Sequence, residues 1–140
     1  MHLSDNTLVE KIIEYIEKNL DADLSLDKIS KDLCYSKFYI ARVFVEKTNC
    51  TIYKYIQGRR LTLAAKELVE TNKAIIEIAY EARYSSQQAF TYAFRKLYLC
   101  TPQTYRKNGI FYPAQEKINM KSTLFCLSYS SFMLGGKMVA

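Results

Sequence analysis

A helix-and-turn pattern that occurs twice, about fifty residues apart, restricts this chain more than any other feature, because whatever fold the first copy takes the second must take as well. Residues 36–55 set against 86–105 are identical at Ser36/Ser86, Phe44/Phe94, Cys50/Cys100, Thr51/Thr101 and Tyr55/Tyr105. Upstream the offset drops by one, pairing Ile29 with Ile78 and Tyr35 with Tyr84, so one copy has an extra residue in its turn. Each copy reads as a short helix, a tight turn and a second helix, which is how a helix-turn-helix is built.

Apolar spacing supports the helices. Leu26, Ile29 and Leu33 line one face, and Ile40, Val43 and Phe44 line another beyond a turn at Cys34-Tyr35. In the second copy Ile75, Ile78, Ala79 and Ala82 form the first face, and Phe90, Ala93, Phe94 and Leu97 the next. Ser25, Ser36, Ser86 and Thr101 stand just before these runs, where a hydroxyl accepts from the free amides of a first helical turn. Pro102 then occupies a first helical position, where its missing N–H costs nothing. Residues 7–19 read as an opening helix, with Leu8, Ile12, Ile16 and Leu20 at fourfold spacing. Residues 51–71 read as one long helix between the motifs, with Tyr55, Ile56, Leu63, Ala64 and Leu68 available for packing. Gly58 inside it costs about 1 kcal/mol relative to Ala, which points either to tight packing there or to a local weakness.

The 140 residues have room for one domain or two small subdomains, and a hydrophobic content of 49% supplies their cores. The net charge of +6 is unevenly spread. Residues 1–30 hold three lysines against seven carboxylates, residues 31–107 fourteen basic against six acidic side chains, and residues 108–140 three against one. The basic excess coincides with the repeat, and a basic helix-turn-helix repeat points to DNA ahead of a membrane. Cys34, Cys50, Cys100 and Cys126 lack metal-ligand spacing and the one histidine is His2, so no metal or cofactor is expected. The polar, acidic N-terminus shows no signal peptide, and free thiols suit a cytoplasmic location. With no nucleophile–base pair, metal cluster or phosphate loop, an enzyme is not expected.

Longer motifs then come into view. Ile76-Glu77-Ile78-Ala79, Tyr84-Ser85-Ser86-Gln87-Gln88-Ala89-Phe90, Phe94-Arg95-Lys96 and Thr101-Pro102-Gln103-Thr104-Tyr105-Arg106 resemble the signature of the AraC/XylS family of bacterial transcription regulators. Leu24-Ser25-Leu26-Asp27-Lys28-Ile29, Tyr35-Ser36-Lys37-Phe38 and Arg59-Arg60-Leu61 resemble its companion motif. The paired glutamines and the Tyr-Ser-Lys-aromatic turn look most like the MarA/SoxS/Rob subgroup. The resemblance implies an all-α fold of seven helices, with two helix-turn-helix subdomains joined by a long linker helix. The expected DNA-binding domain covers residues 1–108, with helix-turn-helix motifs at about 26–47 and 75–98 and the linker at about 52–71. Cys34 and Arg83 stand where the family usually has a turn glycine, which strains a side chain if the backbone is left-handed. Cys50 and Cys100 are read as standing where each recognition helix usually ends in Gly, and Phe38 where the subgroup usually has Trp.

Subtracting the core face leaves Phe38, Ala41, Arg42 and Val45 outward on the first recognition helix, and Gln87, Gln88, Thr91, Tyr92 and Arg95 on the second. Arginine suits guanine, glutamine suits adenine, and Phe38 or the Thr91 methyl suits thymine methyl groups. The resemblance places Phe38, Ala41, Arg42, Gln87, Gln88, Thr91 and Tyr92 on the family's base-reading positions. Phe38 keeps a second reading, closing a core cluster with Tyr35 or Tyr39. Ser36, Lys37, Lys47, Arg59, Arg60, Ser86, Lys96 and Arg106 are the expected phosphate partners, which position a protein without specifying sequence. Arg59 reads equally well as an anchor for the linker helix. The expected activity is that of a cytoplasmic DNA-binding transcription regulator, an activator, reading two successive major grooves. Its expected partner is double-stranded DNA, with RNA polymerase a candidate second one. A helical protein–protein adaptor is the alternative.

Residues 109–140 are set apart as a tail. Its uncharged stretch from Ser122 to Gly136 is shorter than the roughly 20 apolar residues that span a bilayer. Leu124, Phe125, Leu127, Phe132, Met133 and Leu134 cannot build a core of their own. Where ordered, the tail is expected to contact a second copy of the chain in preference to docking on residues 1–107.

Overall fold

In the computed structural model, which describes residues 3–120, seven helices and no strands occur among the described residues. They are α1 (Asp5–Lys18), α2 (Leu26–Leu33), α3 (Lys37–Thr48), α4 (Ile52–Glu70), α5 (Ile75–Glu81), α6 (Gln87–Tyr98) and α7 (Pro102–Asn108). None of them is long and apolar enough to cross a membrane. The helix starts follow the hydroxyls. Ser25, Ser36, Ser86 and Thr101 each accept from the backbone N–H three residues on, at Lys28, Tyr39, Ala89 and Thr104.

The helices form two compact units, and α4 gives its first turn, to Tyr55, to the first and its remainder, from Ile56, to the second. In the first unit α1 packs on α2 and α3. Leu8, Val9, Ile12, Ile16, Ile29, Ile40, Val43 and Phe44 are fully buried there. Buried Thr48 donates to the Phe44 carbonyl at 2.7 Å and accepts from the Cys50 amide at 3.2 Å, so its hydroxyl closes the end of α3.

The second unit is built on rings. Phe94 stacks on Tyr98 at 4.7 Å between centroids, and Tyr105 meets both edge-on, at 5.4 and 4.9 Å. Leu61, Ala64, Ala65 and Leu68 of α4 and Ile78 and Ala79 of α5 close this core. Leu63, expected to pack, is instead exposed, because the α4 stripe that meets the core runs through 61, 64, 65 and 68.

Left-handed backbone occurs where the turn glycines were missed. Cys34 has φ 63° and Arg83 φ 70°. Each closes a helix end: the Cys34 amide donates to the Lys31 carbonyl, and the Arg83 amide to the Tyr80 carbonyl. The expectation for the recognition helices was off by one. Left-handed conformation falls on Asn49 and Leu99, at φ 59° and 63°, and not on Cys50 and Cys100. Since α3 ends at Thr48 and α6 at Tyr98, the residue that must turn back is the next one.

Ordered packing also runs past the boundary expected at residue 108. In the second unit Tyr98 Oη donates to the Tyr112 carbonyl at 3.0 Å and accepts from the Ala114 amide at 3.1 Å. The Gln115 amide donates to Thr62 Oγ1 at 3.0 Å. A Cβ added to Gly58 would stand 3.0 Å from Gln115 Cβ, so Gly58 is there to admit the Gln115 side chain. In the first unit the Ile118 amide donates to Tyr55 Oη, and Lys117 pairs with Glu14 at 2.7 Å. This part of the tail docks on its own chain, contrary to the expectation of a second copy, because its backbone amides find acceptors on helix side chains. The apolar residues 124–134 lie outside the described residues.

Candidate nucleic-acid interface

Each unit presents one capped helix with a buried face and a polar, aromatic outer face. In the first, burial of Ile40, Val43 and Phe44 turns Phe38, Arg42 and Val45 outward, with Ala41 half-buried beside them. Phe38 is 78% exposed. Tyr35 and Tyr39 stack on each other, with centroids 5.7 Å apart, and leave Phe38 outside that pair. The Tyr39 hydroxyl donates to Asp5 Oδ1 at 2.8 Å, a bond that holds its pKa above the ordinary value. Over this fixed ring lies the Arg42 guanidinium, 5.3 Å from the centroid.

In the second unit Phe90, Phe94 and Tyr98 face the core. Gln87, Gln88, Thr91, Tyr92, Arg95 and Lys96 form one continuous outer surface along α6. Gln88, Tyr92, Arg95 and Lys96 are exposed, and Gln87 and Thr91 half-buried. Lys96 lies over the Tyr92 ring at 4.8 Å, so the aromatic positions the ammonium beside the glutamines. Sequence spacing gave the face but not this pairing, because residues four apart on a helix meet only when their rotamers allow it.

The expected phosphate partners divide by environment. Lys47 and Lys96 are exposed, and Lys37 is exposed with Asp27 at 3.1 Å. Ser36 and Ser86 each accept one bond, from the Tyr39 and Ala89 amides, and a hydroxyl that accepts still carries a proton it can donate. Three arginines turn inward instead. Arg59 Nη1 donates to the Gln115 carbonyl at 2.8 Å. Arg60 donates to the Leu20 and Ala22 carbonyls at 2.9 and 2.7 Å, and burial, then the nearby Arg83 charge, draw its pKa down. Arg106 donates to the carbonyls of Leu68, Thr71 and Lys73, tying α7 to the end of α4 and the loop after it. The phosphate role expected of these three gives way to an anchoring one. The physical reason is that a guanidinium fork satisfies several open carbonyls at once, as Arg60 and Arg106 do at or just past the ends of α1 and α4, while Arg59 holds the single Gln115 carbonyl of the segment after α7. Charge counting cannot separate the two roles.

Two capped helix-turn-helix units, both with arginine, lysine and an aromatic ring on the outer face and the second with two glutamines besides, define a DNA-binding protein of duplicated type. Residues 29–108 match a helix-turn-helix domain family. The Tn10 transposon TetD protein of Escherichia coli is 41% identical over 105 residues, which span 75% of this chain and 76% of that protein. Regulatory protein SoxS of Salmonella typhimurium is 39% identical over 104 residues, 74% of this chain and 97% of that one. A crystal structure of a transcriptional regulator with an AraC-type DNA-binding domain, from Chromobacterium violaceum, superposes with a TM-score of 0.70 at 25% identity, covering 74% of this chain and 92% of that one. The chain belongs to the AraC-type helix-turn-helix family, and it is a DNA-binding transcription regulator related to the MarA/SoxS subgroup.

Proposed function

We propose that this regulator acts in the cytoplasm as an activator, with the outer faces of α3 and α6 each reading base edges in a major groove and so recognising a two-part site. The observation that carries the proposal is the exposure of Phe38 and Arg42 one turn apart on a helix whose other face is fully buried. Nothing in the packing of the first unit asks for a ring at Phe38, and an apolar ring beside a guanidinium matches a thymine methyl beside a guanine. On α6, Gln87 and Gln88 are assigned to adenine, and Thr91 and Tyr92 to apolar and hydrogen-bonding contacts. Ala41 leaves room for a base edge to approach α3. Lys37, Lys47, Lys96 and the hydroxyls of Ser36 and Ser86 are assigned to phosphates. Activation implies a further contact with RNA polymerase.

Selection of bound duplexes from a random pool tests the reading directly, by yielding a motif of two conserved blocks. Arg42→Ala is then expected to weaken binding to that site by about 1–3 kcal/mol and to relax preference at one base pair. Equal losses on the selected and random duplexes would make Arg42 a phosphate contact and end its assignment to a base.

A further inference from the structure

The two recognition helices differ in one acidic residue. Helix α6 contains no acidic residue, whereas α3 contains a single one, Glu46, a turn beyond Arg42. Glu46 Oε2 lies 3.4 Å from Arg42 Nη1, with both side chains more than half exposed. Because the guanidinium also lies over Tyr39, and Tyr39 is fixed by Asp5, Arg42 is held between a ring and a carboxylate.

This carboxylate does little for the helix that carries it. It stands in the last turn of α3, where the negative end of the helix dipole opposes it. Its order, with the cation N-terminal to the anion, is the weaker direction for a pair four residues apart. Exposure screens what attraction remains. On a surface that approaches phosphates, a negative charge also lowers affinity for every duplex alike. What it can supply is discrimination. A carboxylate accepts and never donates, so in the major groove it matches the N4 amino group of cytosine and is rejected by the carbonyl oxygens of guanine and thymine.

We propose that Glu46 is a specificity-determining residue, which accepts from a cytosine amino group close to the base pair Arg42 reads and holds the Arg42 guanidinium toward one neighbouring guanine. The inference rests on the base-reading role given above to Arg42. One helical turn advances about 5.4 Å, which places the two readings one or two base pairs apart.

Selection from a random duplex pool with the full-length wild type, E46Q, E46A and R42A tests it. The wild-type motif is expected to contain a guanine that R42A no longer prefers and, one or two positions away, a cytosine. E46Q shifts that cytosine position toward adenine, since a carboxamide both donates and accepts, and E46A leaves it without preference. Both Glu46 variants bind random duplex roughly threefold or more tighter, because a charge opposing the phosphates is gone. An unchanged motif, with selected and random duplexes tightened by the same factor, overturns the proposal while leaving the reading by Arg42 intact. A wild-type pool with no motif, despite salt-sensitive duplex binding, overturns both. A melting temperature lowered by many degrees in both Glu46 variants would make the residue structural and also overturn it.

Discussion

The first unit buries branched aliphatic side chains, among them Leu8, Val9, Ile12, Ile16, Ile29, Ile40 and Val43, while the second stacks Phe90, Phe94, Tyr98 and Tyr105. Their outer faces diverge as far. In one, Arg42 is clasped by Tyr39 and Glu46, and in the other Lys96 rides on Tyr92 beside two glutamines. What the copies share is one buried Phe–Tyr pair, Phe44 with Tyr55 and Phe94 with Tyr105, and backbone chemistry: a serine cap ahead of each recognition helix, left-handed residues at Cys34 and Arg83, and left-handed residues at Asn49 and Leu99. The lesson is that the frame of a helix-turn-helix is fixed by how its helices start and stop and by one buried Phe–Tyr pair, and that the rest of the core and the reading face vary independently of it.

The comparison breaks most easily at the rings. Phe94→Ala removes a side chain in contact with Phe90, Tyr98 and Tyr105, and is expected to destabilise the protein by about 3–5 kcal/mol in denaturant unfolding. A loss below about 1 kcal/mol would mean the aromatic cluster is loosely packed and contributes little beyond the α4 and α5 aliphatics.

Arginine roles come next. Arg106→Ala frees three carbonyls, and with charged hydrogen bonds worth about 1.5–3 kcal/mol each a net loss of about 2–3 kcal/mol in stability is expected, with the salt dependence of DNA binding unchanged. Lys96→Ala should do the reverse, leaving stability alone and flattening the log–log salt slope by about 0.9. Two variants with the same shallow slope would return Arg106 to the phosphates.

Alkaline pH probes the ring cluster of the second unit. Burial raises the Tyr98 pKa to about 12. The unfolded chain loses this proton near pH 10 and the folded chain does not, so the stabilisation is complete below about 10 and is lost as pH rises to about 12, on the order of 2 kcal/mol in all. Tyr98→Phe should lower stability at neutral pH, through the lost bonds to Tyr112 and Ala114, yet remove much of the decline between pH 10 and 12. A decline as steep in Tyr98→Phe as in the wild type would place the alkaline sensitivity elsewhere.

The parts legible in sequence were those governed by local rules. Helix positions, the four hydroxyl caps and the strained turns at Cys34 and Arg83 follow from residues within a few positions of each other. The outward faces were legible too, since burial of Ile40, Val43, Phe44, Phe90 and Phe94 leaves little choice for their neighbours. The arginines were not. Arg60 reaches Leu20 and Ala22 across some forty residues and Arg106 reaches Leu68 across thirty-eight, so a basic side chain in the repeat looks the same whether it ends on a carbonyl or on a phosphate. Gln115 was equally hidden, because the space it fills is the missing Cβ of Gly58, and a glycine inside a helix does not say what lies against it.

The smallest effects concern the turns, and they sharpen the comparison because the two strained residues differ in what their side chains do. Cys34 is exposed at φ 63°, so Cys34→Gly is expected to relieve strain and stabilise the first unit by about 1 kcal/mol, partly offset by the greater entropy of an unfolded glycine. Arg83 at φ 70° carries the same strain, but its guanidinium pairs with Asp23. That pair is largely open to solvent and contributes roughly 0–1 kcal/mol, so Arg83→Gly should gain less than Cys34→Gly or nothing at all. Adding Asp23→Ala separates the two effects: in that background the gain from Arg83→Gly should rise to match that of Cys34→Gly. Equal gains from Cys34→Gly and Arg83→Gly in the unaltered protein would show that the Arg83–Asp23 pair is energetically silent, and destabilisation by both glycines would show that strain at these turns is not what limits the fold.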